Sequence, residues 1–317
     1  MNLSLLHTPD GVHDYYGKEL SSRKYIMNKF ENNIQMYGYD EIQTPTLEFV
    51  NVFSEDKGSL YENRMFRYID RDGETLVLRP DFTPSVARCV SKYFNEIKYP
   101  QRFYYKGNAF SNKGLYEGKA VEVTQMGIEL LKDDTYVADA EVLNIVIDNL
   151  LSVGLEEFKI CISTREENGI ERLNKIVELL SNKGLDKYVS IDMTLESNFK
   201  YYTGMIFKAY TYGVGDCICK GGRYNLLLGK FGDNAPAVGC VFMIDEIYQS
   251  IRRQKIDVNY ETVCKCFVVY SENNLSDKLI LADKLRKEGK SVSLVEAKYV
   301  DEDLCNMCKE EGFEILR

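Results

Sequence analysis

Apolar residues recur at helical spacing over residues 20–37, where Met27, Phe30, Ile34 and Tyr37 share one face and Gly38 stands where a C-terminal cap belongs. The spacing predicts an amphipathic helix. YDEIQTPTLEFV is a strand-like stretch that ends at a proline, and MFRYID and TLVLRP flank Arg71-Asp72-Gly73-Glu74 as the arms of a β-hairpin. QRFYYKGNAF and AVEVTQMGIELL alternate as a second strand pair, with polar SNKGLYEGK between them as a mobile loop. Val142, Ile145, Val146, Leu150 and Val153 place a helix over residues 137–153, closed by Gly154.

Past Phe158 the elements shorten: a strand in FKICIS, a helix from Gly169 to Leu180, and a strand near Val189 to Leu195. YYTGMIFKAYTY and DCICKGGRY alternate like antiparallel neighbours, and APAVGCVFMIDEIYQSI runs from a strand into a helix. RQKIDVNYET reads as a linker. CFVVYS, a helix over Asp277 to Lys290, SVSLVEA and a last helix form a small alternating α/β unit. The pattern predicts a core over residues 1–255, a linker over 256–263 and a second unit over 264–317.

Length agrees with two domains, since 317 residues exceed one core of about 250. An apolar fraction of 44% without a continuous apolar run excludes a membrane span, and the first residues lack the pattern of a secretion signal, so a cytoplasmic location is expected. A net charge of −9 argues against a broad nucleic-acid surface. With 9 cysteines and no export signal, reduced thiols are expected. Cys264 and Cys266 with Cys305 and Cys308 leave a zinc site conceivable. Cys-x-Cys is poor ligand spacing, however, and His7 and His13 are remote, so the expectation is buried thiols and no metal.

Chemistry enters with TPDGVHDYY, the helix running into YGYDEIQTPTLE, LRPDFTPSVAR, the pair FYYKGNAF and VTQMGIE, KYYTGMIF, and KGGRYNLLLGKFG followed by PAVGCVFMIDEI. Together and in this order these segments resemble the histidyl-tRNA synthetase branch of the class II aminoacyl-tRNA synthetases. The resemblance spans nearly the whole chain. It implies an α+β fold, an antiparallel sheet flanked by helices, with a truncated anticodon-binding-like α/β unit at the end.

Amino-acid activation needs fixed guanidinium groups to steady the phosphate and the carboxylate as charge builds at phosphorus. The family's arginines would fall at Ser111, with loop positions at Gly114 and Lys119, at Ser197 and at Glu246. A carboxylate at the last position would repel phosphates. Such losses remove several kcal/mol of transition-state stabilisation each, on the order of 3 kcal/mol per donor. No catalytic residue and no cofactor is therefore expected.

The residues that would cradle a free histidine are present. The resemblance puts Asp81 and Thr83 at the α-amino group, Gln125 and Glu129 beside the substrate, and Tyr201 and Tyr202 near the imidazole. Core polar residues that merely bond one another are the competing reading. The segment from Thr164 to Tyr188 is a stub where a tRNA-charging member carries a longer insertion.

A synthetase core without its arginines is similar to the regulatory subunits of the short-form ATP phosphoribosyltransferases. That resemblance implies a non-catalytic chain, required by a catalytic subunit in the first step of histidine biosynthesis and carrying feedback inhibition by histidine. It implies a hetero-oligomer containing a homodimer of this chain, built around Met27 to Leu47, with no tRNA bound. A tRNA-binding paralogue and an active histidine–tRNA ligase are the rival readings.

Overall fold

The computed structural model describes residues 6–53, 64–112, 120–197, 200–258 and 265–317. The loop positions Gly114 and Lys119, Cys264 and most of the expected linker lie outside the described residues. The chain divides into a unit spanning Met1–Val258 and another spanning Asn259–Arg317. Ile256 and Val258 belong to the first unit because both pack against its core.

The first unit is built on α1 (Gly17–Met36), β1 (Asp40–Glu41), β2 (Leu47–Phe49), β3 (Arg67–Ile69), β4 (Thr75–Leu78), α2 (Thr83–Tyr93), β5 (Gln101–Phe110) and β6 (Glu122–Leu131). There follow α3 (Tyr136–Ser152), β7 (Phe158–Thr164), α4 (Ile170–Ser181), β8 (Val189–Ile191), β9 (Met205–Thr211), β10 (Cys219–Arg223), β11 (Ala237–Met243) and α5 (Ile244–Gln254). Eight strands form the main sheet in the order β1-β5-β6-β11-β10-β9-β7-β8. Its interior pairings are antiparallel, and both edge pairings, β1 with β5 and β7 with β8, are parallel. The parallel edge at β8 follows from α4, which carries the chain back across the sheet.

Strand periodicity splits the sheet into two chemically different faces. On β6, Met126, Ile128 and Leu130 join the cluster made with Phe30, Ile34, Val142, Val146 and Ile247 of the helices. Their neighbours Gln125, Gly127, Glu129 and Leu131 face the other way, where α2 packs through Val86, Ala87 and Val90. One face is an ordinary apolar core. The opposite face carries buried polar groups.

The segment YDEIQTPTLEFV is not one strand. It splits around Pro45 into β1 on the main sheet and β2 on a separate sheet of order β2-β4-β3, because proline cannot continue a ladder. Helix α2 was not anticipated, although Thr83-Pro84 is a helix start and Val86, Ala87 and Val90 supply its apolar side. The strand expected near Val189 to Leu195 stops at Ile191.

Helix α1 does not turn its apolar stripe outward. Ile26, Phe30 and Ile34 are fully buried, and Phe30 lies 4.8 Å from Phe242, ring to ring. These side chains belong to the subunit's own core and cannot form a dimer surface. Outward apolar groups nearby include Met36 at the end of α1 and Ile69 on β3, and also Leu47 and Phe49 on β2 and Tyr68 on β3, the last three each about half exposed at 49%, 52% and 50%.

Within the first unit, the completely buried pair Arg223 and Asp139 joins β10 to α3. Arg223 Nε donates to Asp139 Oδ1 at 2.8 Å, and Arg172 Nε of α4 donates to Oδ2 at 2.7 Å. Arg223 also donates to the backbone oxygens of Asp133 and Thr135, so its donors are met without water.

The second unit contains β12 (Lys265–Tyr270), α6 (Leu275–Lys287), β13 (Ser291–Glu296), α7 (Glu302–Glu311) and β14 (Glu314–Leu316). Its sheet, ordered β13-β12-β14, is parallel throughout. The short β14 was not foreseen; it follows Gly312, whose φ of 70° ends α7. Among the described residues no helix is long and apolar enough to cross a membrane, and no group of three His, Cys, Asp or Glu side chains is placed to hold a metal ion.

Removing one partner of a buried ion pair strands the other charge. Asp139→Asn should therefore lower stability by about 3–5 kcal/mol, read as a shift in the urea unfolding midpoint. A variant as stable as the parent would show that Arg223 does not depend on Asp139.

Candidate functional site: a buried carboxylate pocket beside an open cleft

The polar face of the sheet is shaped by where side chains are missing. Glu129 on β6 is opposed by Gly239 on β11, which is opposed by Gly222 on β10. A Cβ on Gly239 would collide with Glu129 Oε2, and one on Gly222 would lie 2.8 Å from the Tyr202 ring. The glycines leave a hollow in the sheet into which a carboxylate can lie flat.

Glu129 is 1% exposed and fully hydrogen-bonded. Thr83 Oγ1 donates to its Oε1 at 2.8 Å, and the Tyr224 hydroxyl donates to Oε2. Burial pushes its carboxyl up to about 8, against the pull of these hydroxyl donors; the nearby Asp81 adds to the rise. Near neutral pH the group holds its proton.

Asp81 lies at the start of α2. Its Oδ1 accepts from the backbone N–H of Phe82 at 2.7 Å and of Thr83 at 3.4 Å, and the Tyr201 hydroxyl donates to Oδ2 at 3.2 Å. Burial raises its carboxyl, and the Lys220 charge opposes that rise. Tyr201 and Tyr202 meet edge to face at 4.8 Å, and Tyr224 closes on Tyr201 at 5.8 Å. Gln125 Nε2 makes only a long contact of 3.9 Å to Met243 Sδ, and its Oε1 has no partner among the described residues.

The residues singled out from sequence thus converge. Asp81, Thr83, Gln125, Glu129, Tyr201 and Tyr202 all line one small cavity of about 20 Å3, together with Lys220 and Tyr224. That is room for about one water molecule. A larger cleft of about 410 Å3 adjoins it, and Pro80, Gln125, Tyr202 and Lys220 belong to both walls. A molecule the size of an amino acid enters the small cavity only if this shared wall gives way.

Ser111 and Ser197 line the large cleft, so two of the positions expected to have lost arginine do face it. Glu246 does not line it. It sits in the first turn of α5 beside Asp245, where acidic side chains suit the positive end of a helix. Lys220 and Tyr224 were missed as site residues, although KGGRY places both on the strand face that carries Gly222; alternation along that strand was the available signal.

A carboxyl raised by burial makes a stability prediction. Below the ordinary value of 4.5 Glu129 is protonated whether folded or unfolded, and it costs nothing. Between 4.5 and about 8 only the unfolded chain ionises, so stability falls, on the order of 1 kcal/mol per pH unit at most. Glu129→Gln should match the parent in thermal melts at pH 4.5 and exceed it at pH 8. Equal pH dependence in both proteins would show that Glu129 ionises normally.

The histidyl-tRNA synthetase family model matches residues 11–166 and 162–247. An ATP phosphoribosyltransferase regulatory subunit from Acetivibrio thermocellus is 30% identical, over 91% of this chain and 86% of that protein. One from Clostridium novyi is 32% identical, over 78% and 76%. The crystal structure of an ATP phosphoribosyltransferase regulatory subunit/histidyl-tRNA synthetase from Bacillus halodurans superposes with a TM-score of 0.85 at 26% identity, covering 98% of each chain. Apo histidyl-tRNA synthetase from S. aureus, 22% identical, shares the fold with a TM-score of 0.81 over 96% of this chain and 87% of its own. With its histidyl-tRNA synthetase-like fold, this chain belongs to the family of ATP phosphoribosyltransferase regulatory subunits.

Proposed function

We propose that this chain performs no chemistry of its own, activates a short-form ATP phosphoribosyltransferase catalytic subunit, and returns inhibition to it when free histidine fills the buried pocket. The observation that carries this reading is the convergence of Asp81, Thr83, Gln125, Glu129, Tyr201 and Tyr202 on one cavity, beside a cleft where Ser111 and Ser197 offer no guanidinium group. A pocket for an amine and an imidazole supports recognition of histidine. A cleft without those arginines is poorly equipped to activate it.

Protonated Glu129 can donate a hydrogen bond to an imidazole nitrogen, because a carboxyl raised to about 8 keeps its proton beside an imidazole of about 6.5. Asp81, with Thr83 beside it, would receive the α-ammonium group. Because the small cavity holds about one water, admitting an imidazole requires Gln125 or Tyr202 to yield. Inhibition then needs only that the displaced arrangement favours the inactive assembly.

In this reading the chain works in the cytoplasm inside a hetero-oligomer and binds no tRNA; only α4 and its flanks stand between β7 and β8. A homodimer would use the outer face of the β2-β4-β3 sheet. Phe49, Leu76 and Tyr68 lie in one row across it, and Leu47 extends the exposed apolar surface.

The assay mixes this chain with a short-form catalytic subunit and follows phosphoribosyl-ATP. Activity should appear only in the mixture and fall as histidine is added, and Glu129→Gln should blunt that fall. An unchanged rate with and without this chain would sink the proposal. For the dimer, Phe49→Glu should shift sedimentation toward the monomer while circular dichroism stays that of the parent. An unaltered dimer would move the interface elsewhere.

A further inference from the structure

Apart from Lys220, the residues lining this pocket supply carboxylates, hydroxyls and an amide, and no positive charge to balance the carboxylate of an amino acid. We infer that Lys220, on β10 at the boundary of the two cavities, is the carboxylate-binding residue of this site and makes it specific for the intact α-amino acid. The inference rests on the histidine reading above and deepens it.

Strand register fixes the placement. Glu129, Gly239 and Gly222 form one row across the polar face, and Lys220 stands two residues along β10 from Gly222, opposite Val241 of β11. It is thus one same-face step of about 7 Å along β10, and two strand spacings across the sheet, from Glu129, a backbone separation of roughly 12 Å. The Glu129 and Lys220 side chains both line the small cavity, which leaves between them a gap that one amino acid can bridge.

Chemistry agrees with placement. Arg64 and Lys208 also line the large cleft, but Lys220 is the cation that lines the small cavity as well. Its charge acts on Asp81, so an ammonium and a carboxylate face the same space. An α-amino acid presents the complementary pair on a single carbon. A lysine ammonium has three donors, so bonding to a carboxylate does not require it to leave its present contacts. Gln125, in the same shared wall, offers an unpartnered amide oxygen to the α-ammonium. Ser197 lies in the wall of the cleft and cannot replace a lost guanidinium.

The test compares histidine with histidinol, which has an alcohol where histidine has a carboxylate, by calorimetric titration of the full-length parent, Lys220→Met and Lys220→Arg. The parent should bind histidine at least about tenfold more tightly than histidinol, the scale of one charge-assisted hydrogen bond. Lys220→Met should lose that preference by weakening histidine alone, and Lys220→Arg should keep most of it. A parent that binds both compounds equally overturns the inference without needing any variant. So does a Lys220→Met protein that weakens both compounds to the same extent, the mark of a merely structural lysine. Failure of the parent to bind either compound is a separate result that removes the histidine reading itself, and this inference with it.

Discussion

A single carboxylate lying flat against a β-sheet sets the terms for its surroundings. Glu129 occupies a position that in most sheets would hold an apolar side chain, and its burial is tolerable only because Thr83 and Tyr224 turn hydroxyls toward it. The hollow it needs exists only because Gly239 and Gly222 carry no side chain. Thr83 in turn must lie at the start of α2, and Tyr224 must follow β10 directly. One buried acid thereby ties together residues from widely separated parts of the sequence, and a chain that kept the sheet but lost the acid would have no reason to keep the glycines.

Much of this was legible in the sequence, for reasons that differ by element. Helices α1 and α3 announce themselves because a stripe of apolar residues at a period near 3.6 has no other explanation. The antiparallel strands β5 and β6 are long enough for alternation to be plain. The site residues, by contrast, were found through resemblance: nothing in the local pattern of VTQMGIE says that Glu129 is buried rather than exposed. Helix α2 was hidden because its start, Asp81 to Pro84, reads locally as a turn. The apolar stripe of α1 could be recognised but not its partner, since periodicity shows that a face is covered without showing what covers it. Phe242 covers it within the same subunit.

The two cavities divide the labour that the fold permits. Binding requires complementary groups held at the right distances, which in the proposed reading the small cavity supplies. Catalysis requires in addition groups that stabilise charge which appears only in passing, and in the same reading the positions for them hold serine or, at Glu246, an acid. The second capacity can be lost with the first intact, because the two cavities share a wall but few members. A sheet of this kind can therefore pass from chemistry to recognition by a handful of substitutions in one cleft, with its core untouched.

Helix α2 connects the pocket to a distant surface. Thr83, at its first turn, holds Glu129, and Arg88, a little over one turn further on, holds Glu48 of β2 at 2.8 Å. Leu47 and Phe49, the neighbours of Glu48, point to the opposite, outward face of the small sheet. A helix this short bends little, so it behaves as a shaft with a hydroxyl gripping the pocket near one end and a guanidinium gripping the outer sheet beyond it. A shift of Thr83 thus has a direct mechanical path, through one short helix and one ion pair, to the outer sheet.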